Sequence, residues 1–409
     1  MRDRSRVPAV LTALAAAALL VSGLTAVAAR SAPAPPARPP EAWDSDREAL
    51  RFPRAWGAHP RAALEWWYVT AFLRDDAGRA IGAQWTLFRV AIAPRPGATG
   101  GVGGAGRGGR TGAPSAWRPG DLYFAHVALS DSAARSFTVA ERAGRTGVAL
   151  AGADTSDLRV WIRDWSLRRG RDGVFQVRGS TEGGSLRLSL RPSRPLPVAW
   201  GPAYRSSKSP DPRFYSRYQS DPAMAAEGTL RGPGGVTRRV RGHAWFDHEW
   251  SDGAFDSAVV GWDWLGARLG DGRSVMLYRL RDARGGTRHF FGGIVGRDGR
   301  VTPLGPSQAR LSPLRHWRSP KSGARYPVAW RILLLPPGAP RLTLDFATLL
   351  DGQELITDRS TGVTYWEGMV AGTAEQGGAR SRLEGYLELT GYAGGGVPGR
   401  ISSAGPTGR

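Results

Sequence analysis

Residues 65–89 read "EWWYVTAFLRDDAGRAIGAQWTLFR" and residues 261–279 read "GWDWLGARLGDGRSVMLYR". Each stretch opens on an aromatic cluster, runs on as an apolar strand, breaks at an Asp/Gly turn and returns as a strand ending Leu-Phe-Arg or Leu-Tyr-Arg. An Asp/Gly turn between two β-prone runs is a hairpin signal. The same hairpin in each half of a 409-residue chain predicts two β domains of similar plan, each large enough for its own core.

The sequence around these hairpins agrees. "LRLSLRP" (186–192) and "RLTLDF" (341–346) alternate apolar and polar, and "VWIRDW" (160–165), "SVMLYRL" (274–280) and "GYLELTGYA" (385–393) have the aromatic and β-branched bias of strands. "RDGV", "GDGR" and "RDGR" supply further turns, and no long stretch beyond the N-terminus repeats every 3.6 residues. The expectation is an all-β protein of two antiparallel barrels, at 48–240 and 241–393, meeting near residues 230–255.

The flanks read differently. Three arginines within Met1–Arg6, an apolar run to Ala29 and a small-residue Ala-x-Ala site have the layout of a secretory signal peptide over 1–29. A Pro-rich lead (30–47), a Gly-rich insertion (94–116) and a loose tail (394–409) complete the predicted organisation. An exported protein, periplasmic or secreted, is expected, with membrane association only through an uncleaved signal and no stable insertion after cleavage. The absence of cysteine excludes disulfides, thiolate metal sites and cysteine nucleophiles. The net charge of +21 rests almost wholly on arginine, since Lys208 and Lys321 are the two lysines among 56 basic residues. The arginines are scattered and form no basic stripe, so no nucleic-acid partner is expected.

The densest chemistry is "GHAWFDHEW" (242–250), which holds two of the chain's six histidines. In an extended strand His243, Trp245, Asp247 and Glu249 share one face, and Ala244, Phe246, His248 and Trp250 the other. Aromatic walls raise a carboxyl pKa, so Asp247 could stay protonated and act as an acid; a structural Asp–His network fits the same letters. A metal set of His243, Asp247, His248 and Glu249 would need ligands from both faces, and no HExxH occurs, so neither metal nor cofactor is expected. Glu65 amid tryptophans and His126 in "YFAHVALSD" (123–131) are further candidates, each with a core reading beside the functional one. No G-x-S-x-G elbow, Walker motif or dinucleotide fingerprint is present. Trp66, Trp67, Trp85, Trp245, Trp250, Trp262 and Trp264, among sixteen tryptophans, fall in these segments, and suggest either large barrel cores or a barrel cavity for a long apolar ligand.

"EWWY", "YFAHVALSD", "FYSRYQS", "GHAWFDHEWS", the 261–282 hairpin and "YWEG…GYLELTGYA" together resemble the carotenoid 1,2-hydratase superfamily, which includes AttH-type lipocalin-like proteins and bacterial predicted secreted hydrolases. The likeness runs in order over roughly residues 50–393. It implies two lipocalin-like barrels side by side and, in the hydratase branch, cofactor-free addition of water to a terminal carotenoid double bond. The export signal and the Gly-rich insertion are not associated with the pigment enzymes.

The sequence thus supports two readings. One is a hydratase or hydrolase acting on a hydrophobic, terpenoid or lipid-like molecule. In it Asp247 donates the proton, His243 and His126 position water, Glu65 is a further catalytic candidate, and Trp66, Trp67, Tyr68, Tyr215, Trp245, His248, Glu249, Trp262 and Trp264 hold the ligand. The other is a carrier that uses the same cavity without chemistry. An enzyme needs converging polar groups with a strongly perturbed carboxyl, whereas a carrier would have its acids paired to arginines.

Overall fold

The computed structural model describes residues 50–92, 120–146, 150–232, 235–253 and 255–394. The expected signal peptide, Pro-rich lead, Gly-rich insertion and the tail beyond Gly394 lie outside these residues. Among the described residues no helix is long and apolar enough to cross a membrane.

The fold is all-β, in two barrel-like domains. The first sheet comprises β1 (Leu64–Asp75), β2 (Ala80–Ala91), β3 (Asp121–Asp131), β4 (Ser136–Arg145), β5 (Ala151–Ala153), β6 (Arg159–Ile162), β7 (Trp165–Arg169), β8 (Phe175–Thr181), β9 (Gly184–Arg191), β10 (Val198–Ala199), β11 (Arg205–Ser207), β12 (Tyr215–Arg231) and β13 (Thr237–Ser251). The second comprises β14 (Gly261–Leu269), β15 (Ser274–Arg281), β16 (Thr287–Val295), β17 (Val301–Leu304), β18 (Ala309–Arg318), β19 (Arg325–Leu334), β20 (Leu342–Thr348), β21 (Glu354–Ile356), β22 (Thr364–Gln376) and β23 (Ala379–Thr390).

Strand order explains the sequence repeat. The first sheet runs β4-β3-β2-β1-β13-β12-β9-β8-β7-β6-β5, and its end strands meet, so it nearly closes into a barrel. The second runs β17-β16-β15-β14-β23-β22-β20-β19-β18 and forms a half-barrel. The hairpin β1–β2 holds the same place in the first sheet as β14–β15 in the second. The repeat also holds in register, because the cross-strand pairs Glu65–Arg89 and Trp66–Phe88 of the first hairpin correspond to Asp263–Arg279 and Trp264–Tyr278 of the second. One boundary shifts. The strand bearing "GHAWFDHEW" was expected to open the second domain at 241, but it pairs along its length with β1 and β12 and completes the first sheet. The sheets change between Ser251 and Gly261.

Three apolar layers result. Trp67, Val69, Leu73, Trp85, Trp165 and Phe246 fill the first barrel, and Leu265, Tyr326, Trp330, Trp366 and Leu387 fill the second. Tyr68, Phe72, Trp245, Trp264, Met276 and Tyr386 form a seam between the sheets. Strand β1 therefore has both faces buried, which is why "LEWWYVTAFL" reads as one apolar run instead of alternating. The barrel interior is packed with indoles and aliphatics, and the cavity lies in the seam, at the junction of the two domains. Gly266 is needed at that seam, since a Cβ there would collide with the Trp264 ring and crowd Trp245.

Candidate active site

A cavity of about 1050 Å³, including space at its mouth, opens between the sheets. Two facing rungs of residues build it. In the first sheet His126, Thr86, Tyr68, Asp247 and Ser220 lie side by side across β3, β2, β1, β13 and β12. In the second the facing rung is Phe291, Tyr278, Trp264, Glu388 and Glu367 across β16, β15, β14, β23 and β22. Both halves thus present acids to one space walled by Trp66, Phe88, Trp262 and Tyr365.

Three of these acids are held against ionisation. Asp247 Oδ1 accepts hydrogen bonds from Ser220 Oγ and Trp245 Nε1 (2.6 Å), and Oδ2 accepts from Tyr218 OH (2.8 Å). Burial outweighs these bonds and, with the nearby Glu249 charge, pushes Asp247 up to about 7. Glu388 is likewise pushed to about 7 by burial, against hydrogen bonds from Trp262 Nε1 (3.0 Å) and Thr390. Glu367 is raised well above the usual carboxylate range by burial and by the charge of Glu388 beside it. Its Oε1 accepts from Tyr68 OH at 2.5 Å, and its Oε2 has no hydrogen-bond partner among the described residues. A protonated Glu367 therefore has an O–H to offer to whatever enters the cavity.

Burial holds His126 down to about 3, so it is neutral. Its Nδ1 lies 2.8 Å from Tyr365 OH and its Nε2 2.9 Å from Ser360 Oγ. Ser360 donates to Glu141 (2.6 Å), which assigns the imidazole proton to Nε2 and leaves Nδ1 to accept from Tyr365. On the opposite wall Lys208 Nζ lies 2.8 Å from Glu249 Oε1.

Of the residues singled out in the sequence, Asp247, His126, Trp66, Tyr68, Tyr215, Glu249, Trp262 and Trp264 line the cavity. Trp245 backs it through its bond to Asp247. The others do not reach it. Glu65, Trp67 and His248 point into the first barrel. Their parity on β1 and β13 is opposite to that of Tyr68 and Asp247, so they could not share the cavity with them. His243 is on the Asp247 face but four residues away, roughly 13 Å along a strand. It lines a separate groove, 3.9 Å from Glu384. The residues missed are Glu367, Glu388 and Lys208.

On the barrel side, Glu65 Oε1 accepts from His59 Nδ1 (2.8 Å) and His248 Nε2 (2.9 Å), and Oε2 accepts from Arg89 Nε (2.9 Å). Gln219 Nε2 lies 3.1 Å from His248 Nδ1, and His248 stacks on Trp67. Burial would raise Glu65, but the Arg89 charge and the two imidazole hydrogen bonds hold it well below its ordinary value. His59, Glu65 and His248 bring three ligand-type atoms within 4.8 Å of one another, yet those atoms are bonded to each other and a guanidinium sits on the carboxylate. The cluster reads as a scaffold.

The AttH-like family model matches residues 44–392. Among solved structures, an AttH protein from Nitrosomonas europaea is 33% identical with a TM-score of 0.72, over 85% of this chain and 98% of that one. Kievitone hydratase from Nectria haematococca is 11% identical with a TM-score of 0.62, over 84% and 93% of the two chains. CghA in complex with Sch210972 is 14% identical with a TM-score of 0.52, over 81% and 88%. The last two share the fold alone. No curated protein matches the chain.

Proposed function

The chain belongs to the AttH-like family, and from that premise we propose that it is an exported, cofactor-independent hydratase acting on a hydrophobic, terpenoid or lipid-like molecule held between its two sheets. One observation carries the reading: three buried carboxyl groups, each raised above the ordinary carboxylate range, line an aromatic cavity, and one oxygen of Glu367 has no hydrogen-bond partner among the described residues. Glu367 donates its proton to one carbon of a double bond. Positive charge grows on the neighbouring carbon, where the faces of Trp66, Trp262 and Trp264 stabilise it. Water attacks that carbon and passes a proton to Glu388, which lies opposite Glu367 in the sheet and returns the proton to it. Asp247 is the less suited donor because both its oxygens already accept hydrogen bonds. The hydratase name of one structural neighbour agrees with this chemistry.

A carrier would pair its acids with arginine. No arginine lines the cavity, and neither Glu367 nor Glu388 has a basic partner among the described residues. The test begins with protein purified from its host and the bound apolar molecules identified by mass spectrometry. These are then incubated with the protein in heavy-oxygen water. Label should enter the ligand with wild type and not with Glu367→Gln. Ligand retention without label incorporation would establish the carrier instead.

A further inference from the structure

Lys208 enters the cavity from the loop between β11 and β12, and its amine is enclosed by the rings of Tyr218, Tyr278 and Phe291 at 4.8, 4.5 and 4.6 Å. The residue is 9% exposed and lines the cavity. Water addition as described does not use it. Nor does its charge alone account for it: the chain meets its need for cations with arginine almost everywhere, and only two of 56 basic residues are lysine. What a lysine has and an arginine lacks is a primary amine able to attack a carbonyl carbon.

An ammonium carries three N–H donors. Among the described residues no acceptor other than Glu249, 2.8 Å away, is placed on Nζ. A protonated imine carries one N–H, is less strongly hydrated, and spreads its charge onto carbon. One carboxylate and three ring faces suit such a cation better than they suit an ammonium. We propose that Lys208 forms a reversible imine with apolar aldehydes that enter the cavity. This rests on the reading of the cavity as a ligand site, though not on water addition.

The step balances without a further reagent. Lys208 passes a proton to Glu249, and the nitrogen lone pair attacks the aldehyde carbon. The carbon–oxygen π pair moves to oxygen, which takes a proton from the attacking nitrogen and so restores a lone pair on it. The carbinolamine C–O bond then breaks, the hydroxyl leaves as water with the proton held by Glu249, and nitrogen donates its pair to form the C=N bond. The remaining N–H faces the Glu249 carboxylate. Burial also lowers the Lys208 pKa, against the opposing pull of Glu249, which raises the fraction of free amine.

The test uses the full chain with decanal as the probe and cyanoborohydride to trap the imine, read by peptide mass mapping. Lys208 should be alkylated many times faster than Lys321, which is exposed and serves as the internal reference. Lys208→Arg should keep its fold and lose this label, and Lys208→Met should do the same if it remains folded. Binding of decanol, read by quenching of the cavity tryptophans, is measured in parallel. Decanol binding with no preferential Lys208 label would overturn the imine while leaving the ligand site intact. Failure of both probes to bind would overturn the cavity reading as well, and the imine with it.

Discussion

Asp247 and His248 are neighbours on β13, yet they belong to two polar clusters that differ in kind. On the barrel side every strong group of the Glu65 cluster has a partner, and the carboxylate is kept charged by Arg89 and two imidazoles. On the seam side Asp247, Glu367 and Glu388 have hydroxyl and indole donors but no ion-pair partner among the described residues, and burial raises all three above the ordinary carboxylate range. Equal burial thus leads to opposite shifts, and the presence of a basic partner decides which. The first arrangement fixes a structure. The second stores protons at a place a ligand can reach.

The largest expected effect is on turnover. Glu367→Gln keeps the shape and the Tyr68 contact but removes the donor proton, and should cost roughly 10²- to 10⁴-fold in rate with little change in melting. Equal loss of stability would move Glu367 to the scaffold class. Glu65→Gln should do the reverse. It takes from the buried Arg89 its fully buried carboxylate partner, leaving only the half-buried Asp121, and should destabilise by about 3–5 kcal/mol in denaturant titrations. A stable Glu65→Gln protein would dissolve the distinction.

Asp247→Asn should cost about 1–3 kcal/mol, because an amide cannot accept from Ser220, Trp245 and Tyr218 together. The two clusters should also answer pH with opposite signs. Asp247 has a folded pKa of about 7 against an ordinary 3.8, so its contribution to stability is complete below about pH 4 and is lost as pH rises through about 7. Glu65 is lowered, so its contribution is present above its ordinary pKa and lost in acid. His248, lowered to about 4, adds to the acid loss between pH 6.5 and 4. Melting temperature against pH should therefore flatten on the neutral side in Asp247→Asn and on the acid side in Glu65→Gln. Turnover should fall as pH drops below about 7, because Glu388 must be ionised to accept the proton from water. The smallest effect is expected for His243→Ala, outside both clusters, at less than about 1 kcal/mol and with turnover unchanged.

The repeat of 65–89 in 261–279 made the fold legible, because it matches not only hairpin to hairpin but the Glu65–Arg89 pair to the Asp263–Arg279 pair. Parity along β13 correctly separated Asp247 and Glu249 from His248. The same parity, applied to β1, forbids Trp66, Trp67 and Tyr68 from facing one cavity, and it places Glu65 with Trp67. His243 was misplaced because shared parity says nothing about distance along a strand. Glu367 and Glu388 sit in "YWEG" and "GYLELTGYA", which were read for the family likeness and, in the second case, for strand character, and not for their acids. The signal that could have found them is the repeat itself, since β23 takes the place in the second sheet that β13 takes in the first. Lys208 was visible as a rare lysine and was counted only as evidence of a bias towards arginine.

Strand β1 is among the first elements of the described chain, and one of its two neighbours, β13, is the last strand of its sheet. The first barrel therefore stays open along β1 until residue 251 has left the ribosome or the translocation pore. Its closure is a long-range, slow event, and the apolar edge of β1 waits unpaired until then. When β13 docks, it sets the Asp247 rung in place before any strand of the second sheet has been delivered. The second half then assembles against a finished surface, so the order of emergence makes the first barrel a template for the wall that closes the cavity.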